Sequence, residues 1–141
     1  MARLKRKFTV LAPDKGEVEL CVAFASDDGL CVNQHFGSAT GFVLYNLNKK
    51  HCWIKEAAQF SRLDECSVDG KLQAKLDLVS NCSLVFCRAC GAAAMEKLEQ
   101  QAVTVVKVKE ATNIKHLLAV LKKELNSGSS GWLGLNEARS Y

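Results

Sequence analysis

Two apolar strands, each emptying into a loop that carries sulfur or imidazole, constrain this chain most. The first runs Val22-Ala23-Phe24-Ala25 and opens at Ser26 into a polar turn holding Cys31 and His35. The second runs Leu84-Val85-Phe86 and opens into Cys87-Arg88-Ala89-Cys90-Gly91, with an alanine-rich stretch behind it. Short apolar runs bounded by turn residues read as buried strands. As parallel neighbours, the two strands would deliver both loops to the same end of a sheet. Open α/β sheets bind ligands at the carboxyl ends of their strands. One site with up to four soft or borderline ligands is therefore expected: Cys31, His35, Cys87 and Cys90.

The rest of the chain builds a sheet around that pair. Residues 1–16 read as an N-terminal arm, with a short edge strand at Phe8-Thr9-Val10-Leu11 and a turn at Pro13-Asp14-Lys15-Gly16. Residues 18–25 form the first buried strand. Residues 41–47 and 51–57 form a hairpin around the Asn46–Lys50 turn, and 58–69 is a polar connection. Leu72, Leu76 and Val79 recur at helical spacing between Lys71 and Asn81, behind a capping Ser67 or Asp69. The strand at 83–87 leads into a helix from Ala92 to Gln101 with Ala94, Met95 and Leu98 inward. Residues 103–108 are a further strand. Asn113 caps a last helix whose Ile114, Leu117, Leu118, Leu121 and Leu125 make one apolar stripe. The domain spans 17–126. A flexible tail, 127–141, starts in Ser127-Gly128-Ser129-Ser130-Gly131 and holds Trp132, Leu133 and Leu135. The expected architecture is α/β: a mixed sheet of about five strands with helices on its faces.

Composition removes several function classes. No apolar run reaches the roughly 18–20 residues that cross a bilayer. The basic N-terminus has no apolar segment behind it, so a signal peptide is not expected and the protein is expected in the cytoplasm. The net charge of +4 is mild, without the dense basic face and interleaved aromatics of a nucleic-acid binder. Seven cysteines without an export signal point to reduced thiols rather than a disulfide framework. Cys21 and Cys82 border apolar strands and read as core. Cys52 and Cys66 lack a partner at ligand spacing and read as structural.

The loops permit specific chemistry. Cys87 and Cys90 stand just before a helix, whose first turn offers free N–H groups and a positive dipole end. A thiolate there is stabilised, and so is an anionic cluster. With Cys31 and His35, a Cys3His set suits zinc or iron–sulfur species. A thiol–disulfide enzyme using Cys87 and Cys90 is a competing reading, weakened because Pro13 is the lone proline and lies far upstream. A structural zinc or interaction module is another. His51 and His116 have no metal-capable neighbour at useful spacing. Asp27 and Asp28 read as turn formers beside Gly29.

At these residues the chain resembles the dinitrogenase iron–molybdenum cofactor-binding family, and within it the nitrogenase accessory carriers. The resemblance covers about residues 18–125. It rests on Val22-Ala23-Phe24-Ala25-Ser26-Asp27, on Gln34-His35-Phe36-Gly37-Ser38, on Phe42-Val43-Leu44-Tyr45, and on Cys87-Arg88-Ala89-Cys90-Gly91 with Ala92-Ala93-Ala94. It implies a ribonuclease H-like fold and a non-catalytic carrier that binds iron–sulfur precursors of the iron–molybdenum cofactor, or the cofactor itself. It implies partners among cofactor assembly scaffolds and apo-dinitrogenase, with no nucleic acid or membrane. His35 becomes the foremost ligand, followed by Cys31, Cys87 and Cys90, with Ser26, Asn33 and Gly91 contributing hydrogen bonds. The chain departs from the family pattern at Ala92, where many relatives have glycine, and at Val105, where many have proline.

Overall fold

The computed structural model describes residues 16–60 and 72–127 in full, and residues 4–9 and 68–71 through their backbone. The described residues form eleven elements: β1 (Leu4–Thr9), β2 (Leu20–Ala25), β3 (Cys31–Val32), β4 (Gly41–Leu47), β5 (Cys52–Phe60), α1 (Val68–Leu78), β6 (Leu84–Cys87), α2 (Ala92–Gln100), β7 (Thr104–Lys107), β8 (Thr112–Asn113) and α3 (Ile114–Ser127). Six strands form one mixed sheet in the order β1-β5-β4-β2-β6-β7. β2 is the pivot. It runs antiparallel to β4 and parallel to β6, with Val22 opposite Leu84 and Phe24 opposite Phe86. The α/β expectation holds, and the strand order is compatible with a ribonuclease H-like arrangement. β1 pairs along β5 at the sheet's edge, the place expected for a strand of the N-terminal arm.

Alternation along the strands divides the core into two layers. Leu20, Val22 and Phe24 point to one face, where they meet Leu84, Phe86 and Val106 under the α3 stripe Ile114, Leu117, Leu118, Leu121 and Leu125. Phe24 and Phe86 stack across the parallel pair with centroids 5.2 Å apart. Cys21, Ala23 and Ala25 point to the opposite face, which α1 and α2 cover with Leu76, Val79, Ala94 and Leu98. Small side chains on this face of β2 leave room for Phe36 and Phe42, both fully buried and packed edge to face. Each such side chain contributes roughly 1.5–3 kcal/mol through its burial.

Asn113 caps α3 as expected, its side-chain oxygen accepting from the backbone N–H of Lys115 at 2.9 Å. Other boundaries moved. β5 continues to Phe60 through a stretch read as polar connection, because Phe60 and Ala58 are buried against the α1–α2 face. α1 starts at Val68, so Asp69 lies inside the helix rather than at its cap. β1 covers Leu4–Thr9, earlier than the expected edge strand. Ser67, Cys66, the Pro13 turn up to Lys15, and the tail residues Trp132, Leu133 and Leu135 lie outside the described residues. Among the described residues, no helix is long and apolar enough to cross a membrane.

Candidate functional site

The two loops singled out in the sequence meet at the carboxyl end of β2 and β6. The N–H of Arg88 donates to the carbonyl of Gln34 at 2.9 Å, and the N–H of Phe36 donates to the carbonyl of Ala89 at 2.8 Å. His35 lies between these bonds, exposed, with Phe36 beside it buried in the core. A one-residue alternation thus plants the loop through Phe36 and presents His35 to solvent.

Three further anchors hold the His35 loop. The Gln34 side-chain carbonyl accepts from the N–H groups of Thr40 and Gly41, while its amide donates to the Thr40 hydroxyl at 2.9 Å. The Lys75 ammonium, on α1 and only 3% exposed, donates to the Gly37 carbonyl at 2.5 Å. Gly41 lies so close to β2 that an added Cβ would sit 2.4 Å from the Ser26 carbonyl oxygen. Lys75 was missed from sequence, since a lysine in an amphipathic helix ordinarily reads as solvated.

Ser26 and Asn33 build the preceding turn. Ser26 is buried; its hydroxyl donates to Asp28 and accepts from the N–H of Gly29. Asn33 exchanges two hydrogen bonds with Asp27. Gly29 takes a positive φ of 73°, which glycine adopts without strain. The Asp28 carboxylate accepts from the N–H groups of Leu30 and Cys31, and these bonds hold its pKa below the ordinary value. The turn-forming role expected for Asp27 and Asp28 is thereby explained.

Cys87 and Cys90 are brought together and divided in character. Cys87 ends β6 fully buried, facing Ala94 and Leu98; its thiol donates to Cys90, which pushes its own pKa up. Cys90 is half-buried, and the same hydrogen bond lowers its pKa, with Lys107 adding to the effect against the cost of burial. Cys90 is therefore the thiolate-competent member. Cys31 lies on the two-stranded β3–β8 ribbon opposite Asn113, with its neighbour Val32 buried under α3. Among the described residues, no three His, Cys, Asp or Glu side chains converge as a metal-binding group, so the expected four-ligand set does not form one. Backbone hydrogen bonds join the His35 loop to the turn that carries Cys87 and Cys90.

Beside them α2 begins at Gly91, with no side-chain cap and no acidic residue in its first turn. Its free N–H groups and positive dipole end face outward. Among the described residues, a Cβ on Gly37 or on Gly91 would meet no atom within 4 Å, so these residues leave the space before both loops open. His51, Cys52 and His116 are exposed elsewhere. Cys52, read as structural, lines a cavity of about 570 Å³ between Tyr45 and the α3 side chains Leu118 and Lys122.

Comparison with known proteins bears on the family and the fold. Residues 18–124 match the family model described as dinitrogenase iron-molybdenum cofactor. The protein NifX of Azotobacter vinelandii is 37% identical over 133 residues, covering 94% of this chain and 84% of that one. NifX of Rhodobacter capsulatus is 31% identical over 133 residues, covering 89% and 82%. The apo orange protein of Desulfovibrio gigas shares the fold, with a TM-score of 0.54 at 13% identity, covering 75% of this chain and 89% of that one.

Proposed function

This chain belongs to the dinitrogenase iron-molybdenum cofactor family, and on that premise we propose that it is a non-catalytic carrier of iron–sulfur cargo during nitrogenase assembly. The cargo is the iron–molybdenum cofactor or an iron–sulfur precursor of it. The observation that carries this reading is the exposed His35, fixed between two backbone hydrogen bonds to the Arg88–Ala89 turn. A neutral imidazole on a rigid loop is an exchangeable ligand for iron or molybdenum.

A carrier must also release its cargo. One or two protein bonds serve that need better than four. His35 is the first ligand, and the Cys90 thiolate is the second. The uncapped start of α2 and the nearby Lys107 favour a cluster of negative charge without bonding it covalently. Ser26, Asn33 and Gly91 act by shaping the loops. Cys31, on its separate ribbon, is the weakest candidate ligand. Donor and acceptor proteins are an assembly scaffold and apo-dinitrogenase. No observation favours the thiol–disulfide or the zinc-module reading.

The test is anaerobic titration of the reduced apo-protein with isolated iron–molybdenum cofactor, and in parallel with a precursor cluster, followed by visible absorption and EPR. Saturable binding to the wild type is expected, weakened about tenfold or more in His35→Ala, a step of roughly 1.4 kcal/mol. His35 is exposed, so its loss should leave folding almost unchanged. Unaltered affinity in folded His35→Ala would remove His35 as the ligand. No binding by folded wild type would remove the carrier role.

A further inference from the structure

Cys21 and Cys82 stand at the opposite end of the sheet from His35, and the proposed cargo site uses neither. Their Sγ atoms are 3.4 Å apart although the residues are 61 positions apart in sequence. Cys21 opens β2, and Cys82 lies in the turn that carries the chain from α1 into β6. The backbone holds the two together: the N–H of Ser83 donates to the Cys21 carbonyl at 2.8 Å, and the N–H of Cys82 donates to Val79 at 2.9 Å. Both thiols are buried, at 8% and 5% exposure, but Asn81 and Ser83 on either side of Cys82 are exposed. Cys82 thus sits in a turn with exposed neighbours, and turns open locally more readily than strands.

We propose that Cys21 and Cys82 form an oxidisable dithiol that a small hydroperoxide converts into an internal disulfide, clamping the start of β2 to the turn before β6. The pair has the arrangement of an attacking and a resolving thiol. The Cys21 thiolate attacks one oxygen of hydrogen peroxide. The O–O bond breaks, hydroxide leaves and takes up a proton as water, and Cys21 becomes a sulfenic acid. The Cys82 sulfur then attacks the Cys21 sulfur. The S–S bond forms, the S–O bond breaks, and the second hydroxide leaves as water with the Cys82 proton. Two thiols lose two electrons, and one peroxide becomes two waters. Either sulfur can donate in the hydrogen bond they share; with Cys82 as donor the Cys21 thiolate is favoured, its pKa lowered to about 7 and that of Cys82 raised. The sulfur atoms must close from 3.4 Å to a bond of about 2.05 Å, a movement within the reach of side-chain rotation.

The product would close a loop containing β3, β4, β5 and α1. Such a cross-link restricts the unfolded chain most when the loop is long. The clamp lies at the far end of β2 and β6 from the cargo loops, so it protects the scaffold without occupying the site.

The experiment treats the reduced, full-length apo-protein with stoichiometric hydrogen peroxide, alkylates residual thiols and sequences fragment ions of the digest. Fragment sequencing is required because Cys82 and Cys87 fall in one tryptic peptide. The expected result is a Cys21–Cys82 bond, a loss of two hydrogens and an upward shift of Tm by several degrees. Cys82→Ser, which keeps a hydrogen-bond donor but no resolving sulfur, should leave a dimedone-reactive sulfenic acid at Cys21, and Cys21→Ala should yield neither product. Oxidation confined to Cys87 and Cys90, with Cys21 and Cys82 fully alkylated after unfolding, would overturn the proposal. A Cys21–Cys82 bond that lowers Tm would overturn the clamp.

Discussion

Lys75 and Gly37 are joined by a hydrogen bond of 2.5 Å from the ammonium to the peptide carbonyl, across 38 positions of sequence. The bond ties α1 to the loop of His35, and the same ammonium lies 5.8 Å from the Phe60 ring centroid. A hydrogen bond to a charged group contributes roughly 1.5–3 kcal/mol. Lys75→Met keeps most of the side-chain volume and removes the charge. The expected outcome is a folded domain whose Gly37–Ala39 amides exchange about tenfold faster, with cargo affinity reduced and His35 itself intact. Native-state hydrogen exchange and the cofactor titration check this together.

Two glycines near the site should respond oppositely to a methyl group. At Gly41 the new Cβ would meet the Ser26 carbonyl oxygen at 2.4 Å, so Gly41→Ala forces β4 away from the end of β2. A loss of roughly 1–3 kcal/mol is expected in urea denaturation. At Gly37 the new Cβ meets nothing within 4 Å. Gly37→Ala should leave stability within about 1 kcal/mol of wild type and still weaken cargo binding, because the methyl group enters the open space before the loop.

The thiols of the second loop should differ in reactivity. Cys90 is half-exposed with a lowered pKa, and Cys87 is buried with a raised one. Iodoacetamide at neutral pH should label Cys90 roughly tenfold or more faster than Cys87, since the thiolate is the nucleophile. Cys87→Ala removes the hydrogen bond that stabilises the Cys90 thiolate, so Cys90 should then label more slowly. Mass spectrometry of timed aliquots reads both rates.

Asp28 sets an acid limit on the first loop. Hydrogen bonds from Leu30 and then Cys31 depress its folded pKa below 3.8. A depressed carboxyl contributes stability that is present above the unfolded value and is lost as pH falls through the folded one. The Leu30 and Cys31 amide resonances should therefore hold steady above about pH 4 and shift together below 3.8. Asp28→Asn should abolish that titration. Two-dimensional NMR of the labelled protein follows it directly.

Sequence patterns were legible wherever one residue set faced one layer. The α3 stripe from Ile114 to Leu125 and the apolar strands β2 and β6 were readable because burial imposes period on sequence. Their parallel pairing was only a condition in that reading, and the structure meets it, which brings the His35 and Cys87–Cys90 loops together. The β3–β8 ribbon was not readable, since two residues per strand carry no period. That ribbon sets Cys31 opposite Asn113, and spacing along the chain holds no record of it. Lys75 was hidden for a different reason: its role depends on a carbonyl from a distant loop, which no local pattern encodes.

The backbone bonds from Arg88 to Gln34 and from Phe36 to Ala89 also have a meaning in time. Chains leave the ribosome amino end first, at about 5–20 residues per second, and a domain folds as a unit once its elements have emerged. The β2–β4–β5 hairpin unit is complete by Phe60, so the His35 loop is made early. Its partner strand and the Arg88–Ala89 turn are made later, and α2 later still. A nascent chain that has emerged only as far as Phe60 therefore carries the imidazole without the turn that holds it, and the receptacle for cargo is complete only once β6 and the Arg88–Ala89 turn have followed.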